Sequence, residues 1–256
     1  MTPLLETRGL SKTFGGLKAV QDVDLRVGAN QIVSVIGPNG AGKTTFFNCL
    51  SGIYRPDGGA ILLEGRDITG RAPHQVCKLG MSRTFQNIRL FPEMSVLQNV
   101  LVAQFQHQSI SPLPLLLRSK RFCEQEKAGR EEALGFLDFV GLAPYAGQVS
   151  SNLAYGLQRR LEIARALATG PRILLLDEPA AGMNPQEAVE MVRLISRIRD
   201  RGLAILLIEH HMKVVMSISD EILVLDHGVQ IAHGAPEKVR NDPQVIRAYL
   251  GEEVSN

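Results

Sequence analysis

The sequence predicts an α/β protein: a core of buried strands carrying a phosphate-binding loop, an antiparallel β region before it, and an inserted helical region. Three observations predict it. Short apolar runs at Ile32–Ile36, Ile173–Leu176, Ala204–Ile208 and Ile222–Leu225 read as strands buried on both faces, with helix-length segments between them. The first run breaks into a glycine-rich turn and then into a Lys-Thr pair that opens a helix. Between Gln86 and about Arg165 strand-like runs vanish and helical patterns replace them.

Taken in order, VQDVDLRV (Val20–Val27) alternates with period two, as an antiparallel strand exposed on one face does. Residues 37–45 read GPNGAGKTT and fill the pattern G-x-x-x-x-G-K-[ST] with Gly37, Gly42, Lys43 and Thr44. Gly37, Gly40 and Gly42 let the backbone curl so that successive N–H groups point inward at a phosphate chain, and Pro38, Asn39, Ala41 and Thr45 belong to the same stretch. Lys43 can reach the β- and γ-phosphates, the Thr44 hydroxyl can ligate Mg²⁺, and the following helix aims its positive end at the same anion. A bare glycine turn is the alternative, but the preceding apolar run and the following FFNCL favour nucleotide binding, by ATP or GTP.

The helical region carries SVLQNVLVAQF and EQEKAGREEALGFLDFVGL, joined across a proline-broken stretch at Ser111–Leu117 that reads equally as a docking surface or a locally packed loop. Beyond it, RILLLDEP ends a strand in two carboxylates. Asp177 at the carboxyl end of a parallel strand can hold Mg²⁺, and Glu178 is placed to orient or deprotonate water.

Composition limits the alternatives. The 256 residues are 45% hydrophobic and 21% charged, enough for one sizeable core or a core plus a subdomain. A net charge of +2 gives no electrostatic footprint for nucleic acid. Cys49, Cys77 and Cys123 match no disulfide or zinc spacing, which fits a reducing compartment. No basic-then-apolar leader is visible, and no apolar stretch approaches the ~20 residues of a spanning helix. Glu209-His210-His211 is not read as a metal site, because chain neighbours rarely converge on one ion.

With these motifs in place, the whole chain resembles the ATPase subunit of an ABC transporter. RTFQN supplies Gln86 where that family has its glutamine loop. SNLAYGLQRRLEIARAL stands where the family carries its LSGGQ signature, and LLIEH supplies His210 as the switch histidine. EPAAGMNP resembles the D-loop, with Asn184 where aspartate is usual, and Phe14 matches the aromatic that stacks on adenine. Within the family, RTFQNIRLFPEMSVLQNVLVAQ, the AYG signature variant, LDEPAAGMNP, IEHHMKVVMSISD and VIRAYLGE are similar to the branched-chain amino-acid uptake ATPases. Importers of urea or other small amides share much of this.

The resemblance implies a RecA-like P-loop NTPase fold in a single 1–256 domain, with 1–86 and 166–256 as nucleotide-binding core and 87–165 as helical subdomain. It implies ATP and Mg²⁺ as ligands, with Glu178, His210 and Gln86 catalytic and Thr44, Gln86 and Asp177 at the metal. Phe14, the loop from Gly37 to Thr45, and Leu153, Ala154, Tyr155 and Gly156 would contact nucleotide, the last four across a dimer. A second ATPase subunit, integral-membrane permease subunits and, indirectly, an extracytoplasmic solute-binding protein are the implied partners. The chain would be peripheral, on the cytoplasmic face of the inner membrane, and the permease would dock near Gln86 and the helical insertion. Soluble family members of translation and DNA repair, which fuse two modules or insert coiled coils, are the rival reading, and a weakly active regulatory subunit is another. The departures are Ala154 for serine, Leu157 for glutamine and His211 for aspartate. Ala154 removes a hydroxyl donor, and Ser150 or Ser151 is a candidate to replace it.

Overall fold

The computed structural model describes residues 3–105 and 120–253; the Ser111–Leu117 stretch lies outside them. The strands are β1 (Leu5–Phe14), β2 (Leu17–Val27), β3 (Ile32–Ile36), β4 (Gly58–Leu63), β5 (Arg66–Asp67), β6 (Met81–Arg83), β7 (Ile173–Asp177), β8 (Ala204–Ile208), β9 (Glu221–Asp226) and β10 (Val229–Gly234). They form one sheet in the order β5-β4-β1-β2-β10-β9-β3-β8-β7-β6. Strands β9, β3, β8, β7 and β6 run parallel, whereas β1, β2, β4 and β5 pair antiparallel. A single parallel pairing, Val229 with Gln21, joins the two regions.

The expected parallel strands appear at the expected places. Every residue of β3, β7 and β8 is buried, and the polar exception in β3, Ser34, shares a 2.6 Å hydrogen bond with Ser219. The alternation read over Val20–Val27 belongs to a longer strand. Val20, Val23, Leu25 and Val27 are buried; the period slips at Asp22, whose φ of 46° lies where the β1–β2 register shifts.

Alternate residues of the central strands feed two cores. Ile173, Leu175, Leu206 and Ile208 pack with the antiparallel region and with helix α1 (Lys43–Leu50), which contributes Phe46 and Phe47. After α1 comes the short α2 (Pro73–Lys78). Leu174, Leu176, Ile205 and Leu207 face the other way and pack with α3 (Val96–Gln104), α4 (Lys120–Phe139), α5 (Tyr155–Leu167) and α6 (Pro185–Asp200). The helical insertion therefore shares a core with one face of the sheet. A third cluster joins Ile36, Ile222 and Val224 to α7 (Met212–Ile218), α8 (Pro236–Arg240) and α9 (Pro243–Glu253).

Local sequence starts several of these helices. Ser95 and Gln98 cap α3 reciprocally, at 3.1 and 2.8 Å. Asn184 and Glu187 do the same for α6, at 2.9 and 3.0 Å, with Pro185 at the first helical position. The residue that replaces the D-loop aspartate is thus a helix cap.

Candidate functional site

The glycine loop leaves β3 and enters α1. Gly37 and Gly42 have φ of 148° and 98°, and each faces backbone: a Cβ on Gly37 would stand 2.0 Å from Leu225 O, and one on Gly42 would stand 2.2 Å from Ala19 O. Only glycine fits either position, which also explains how β2 and β9 seat the loop. Lys43 is 6% exposed and donates from Nζ to Gly37 O at 2.6 Å and to Pro38 O at 2.7 Å, lying across the loop. Gly42 caps α1 without a side-chain acceptor, so the helix presents its first N–H groups to an anion beside the loop. Asn39, Gly40 and Thr44 are exposed, Ala41 is buried and Thr45 half-buried.

Three residues distant in sequence meet at one carboxylate. Glu178 follows β7 with φ of 48°, and its backbone N–H donates to Ile208 O at 2.9 Å. His210 Nε2 lies 2.5 Å from Glu178 Oε1, and Gln86 Nε2 donates to Oε2 at 3.0 Å. Left-handed backbone at a residue with a side chain stores strain, and here it aims the carboxylate at the end of β8, where His210 sits. Below His210, buried Glu209 accepts from the backbone N–H groups of Ala180 and His210, both at 3.1 Å, and from His211 Nδ1 at 3.3 Å.

Asp177 sits deeper. Arg83 Nη2 donates to its Oδ2 at 2.8 Å, with each side chain only 5% exposed. The same guanidinium reaches Asn48 Oδ1 at 2.7 Å and Ser51 Oγ at 3.0 Å, tying β6 and β7 to α1. Burial pulls the Arg83 pKa down, and Asp177 opposes that shift. The bond to Arg83 is made by Asp177 Oδ2. The hydroxyl of Thr44, the amide of Gln86 and this carboxylate are hard oxygen donors that suit Mg²⁺. Among the described residues no group of three or more His, Cys, Asp or Glu could cage a metal by itself; Mg²⁺ shared with substrate phosphates needs no such cage.

The signature-like segment leads into α5. Leu153 is buried, and Ala154 is the N-cap of α5 without a side-chain acceptor. Tyr155 packs against the turn after Glu178, where a Cβ on Gly182 would stand 3.4 Å from its ring; Gly156 lies similarly close to Glu187. Ser150 is fully buried and donates to Phe91 O at 2.8 Å, so its hydroxyl does not replace the missing serine. Leu157 packs half-buried against the helical core. Phe14, 41% exposed, meets Tyr54 edge-on at 5.2 Å with Lys12 Nζ 5.3 Å from its ring centre. Asp57 holds Lys12 at 2.9 Å and the Thr13 N–H at 2.7 Å, and these bonds keep its carboxyl below the usual range.

Sequence reasoning missed Arg83, Tyr54, Arg159 and Glu162. The segment that Arg159 and Glu162 hold and the partners of Arg83 and Tyr54 lie far along the chain, and only the i, i+3 pair of Arg159 with Glu162 is local; a basic residue three positions before Gln86, close to a strand, was the only signal for Arg83.

The ABC transporter family profile matches residues 20–181, and the profile of the branched-chain amino acid ATP-binding cassette transporter matches residues 229–255. The high-affinity branched-chain amino acid transport ATP-binding protein BraF of Pseudomonas aeruginosa is 51% identical over 251 residues, covering 98% of both chains. LivG of Escherichia coli K12, of the same description, matches with the same identity and coverage. A crystal structure of a nucleotide-free ATP-binding cassette from an ABC transporter superposes with a TM-score of 0.84 at 32% identity, covering 96% of this chain and 98% of that one. With the glycine loop, the paired carboxylates and the cassette fold in hand, this chain belongs to the ATP-binding, ATP-hydrolysing subunits of ABC transporters.

Proposed function

We propose that this subunit powers uptake of branched-chain amino acids through integral-membrane permease subunits, which receive solute from an extracytoplasmic binding protein. Its place is the cytoplasmic face of the inner membrane, as a peripheral subunit; among the described residues no helix is long and apolar enough to cross a membrane. The descriptions of BraF and LivG and the C-terminal family match support the solute class.

The observation that carries the catalytic reading is the convergence of Gln86 and His210 on Glu178, one residue beyond Asp177. Lys43 and the amides from Gly37 to Thr45 bind the phosphates, and Phe14 stacks on adenine from its Tyr54–Lys12 support. Thr44, Gln86 and Asp177 would hold Mg²⁺, which supplies neutralising charge at the β- and γ-phosphoryl oxygens when bound. Glu178 acts as the base toward water. Gln86 and His210 each engage one of its oxygens and so fix the carboxylate plane, and each oxygen keeps a second lone pair for the attacking water. Leu153, Ala154, Tyr155 and Gly156 serve the nucleotide held by a second ATPase subunit, identical or homologous, so hydrolysis belongs to the dimer. Residues 1–86 and 166–256 form the nucleotide-binding core and 87–165 the helical subdomain.

The test is uptake of labelled leucine, isoleucine, valine and urea by cells or vesicles carrying either the native chain or Lys43→Ala. Loss of uptake of the three amino acids alone is expected. Loss of urea uptake with leucine uptake retained reassigns the solute, and loss of neither removes the transport reading.

A further inference from the structure

Residues 84–91, which carry Gln86, form no helix or strand. Backbone in such a segment must find hydrogen bonds outside it, and one face of α5 supplies those of Phe85, Gln86 and Arg89. Arg159 Nη1 donates to Phe85 O at 2.7 Å, and its Nη2 donates to Gln86 O. Glu162 Oε1 accepts from the Arg89 N–H at 2.7 Å, and Arg165 Nη1 donates to Arg89 O. These three residues recur at i, i+3 and i+6, the spacing of one helix face. Arg159 and Glu162 are 4% and 6% exposed and face each other at 3.4 Å. Burial raises the Glu162 pKa, and the Arg89 N–H and the neighbouring guanidinium groups oppose it.

The clamp extends to the first turn of α5. The Tyr155 hydroxyl accepts from Arg159 at 2.8 Å (Nη2) and 3.1 Å (Nε). Every donor edge of Arg159 is thus divided between Tyr155, Glu162 and the carbonyls of residues 85 and 86. A planar fork can do this, and a point-charge ammonium cannot.

We propose that Arg159 is a positioning residue for Gln86: with Glu162 and Arg165 it makes α5 and the 85–89 segment move as one body, and Tyr155 is the end of that body nearest the helix N-terminus. A shift of α5 on contact with a second subunit is then delivered to Gln86 through side-chain bonds to its backbone. Tyrosine at position 155 gains a reason, because no shorter side chain there supplies that acceptor. The proposal rests on the reading that Gln86 acts at the nucleotide.

Two measurements on the full-length chain test it. The first is a double-mutant cycle of Gln86→Ala with Arg159→Lys, and with Tyr155→Phe as the milder variant, read as kcat and KM for ATP. Each single change is expected to lower kcat by about tenfold with little change in KM, and the second change to add nothing once the Gln86 side chain is gone. Multiplying effects would mean that Arg159 acts elsewhere, and would overturn the proposal. The second is hydrogen exchange of amides 84–91, which needs no activity. Arg159→Lys and Tyr155→Phe should raise exchange there several-fold while β3 and β8 stay protected; unchanged exchange would also overturn it. Should Gln86→Ala leave kcat intact, the catalytic reading of Gln86 fails on its own, and the exchange result alone decides the clamp.

Discussion

His210 Nε2 stands 2.5 Å from Glu178 Oε1 across 32 residues of sequence. Opposite an ionised carboxylate, which offers only acceptors, an imidazole donates from Nε2. The contact joins the ends of β7 and β8, which are adjacent parallel strands, so it is set by the sheet itself.

Glu178→Gln tests that relationship. The amide keeps the shape and can still face His210 and Gln86, but it cannot take a proton from water. ATP binding should persist, hydrolysis should slow by ~10²–10⁴-fold, and an ATP-bound dimer should accumulate on size exclusion. Near-normal turnover would remove Glu178 from the role of base.

Arg83→Met tests the buried pair. Methionine fills the space between Phe47 and Phe85, whose rings lie 5.5 and 5.1 Å from the guanidinium carbon. It leaves Asp177 without its partner in a site 5% exposed. Breaking a buried pair on one side costs ~3–5 kcal/mol, which urea unfolding would register as a clear drop in midpoint. A loss below ~1 kcal/mol would mean that water already screens this pair.

The strands buried on both faces were legible because each is a short unbroken apolar run, as β7 and β8 are. The strand β6 was not: Met81-Ser82-Arg83 is three residues long, and its polar members are satisfied by Thr169, Asn48 and Asp177. Strand β1 escaped because LETRGLSKTF carries bulges that break its period. The glycine loop was readable because its geometry is local. The Arg83–Asp177 pair spans 94 residues and the hold of Arg159 on the Gln86 segment spans 73, and no local pattern encodes such distances.

Cys49 makes a pH prediction. Burial in α1 pushes its thiol from 9.0 up to about 11. Between those values the unfolded chain releases a proton that the folded chain keeps. The unfolded state is favoured as pH rises, so this contribution is intact below pH 9 and lost by about 11. Wild type should therefore lose stability relative to Cys49→Ala over that window, by up to ~2 kcal/mol in paired urea titrations. A constant difference from pH 8 to 11 would show that the thiol titrates normally. In the native protein at pH 8, iodoacetamide should also modify half-buried Cys77 ahead of Cys49.

Leu157→Gln tests the unusual signature. The sequence places a leucine where the family carries a polar side chain, and in the fold this leucine rests half-buried against the core of the helical insertion. Glutamine gives up part of that contact, so a stability loss of ~1 kcal/mol is expected in the isolated chain. One restored neutral hydrogen bond to a nucleotide is worth roughly 0.5–1.5 kcal/mol, so turnover of the assembled transporter should rise by at most about tenfold. ATP binding to the isolated chain should stay the same, because residue 157 serves the partner's nucleotide in the proposed dimer. Lower stability without faster turnover would make Leu157 a packing residue alone. A matching change in isolated-chain ATP binding would place the segment in its own subunit's site, and the two-subunit site would have to be abandoned.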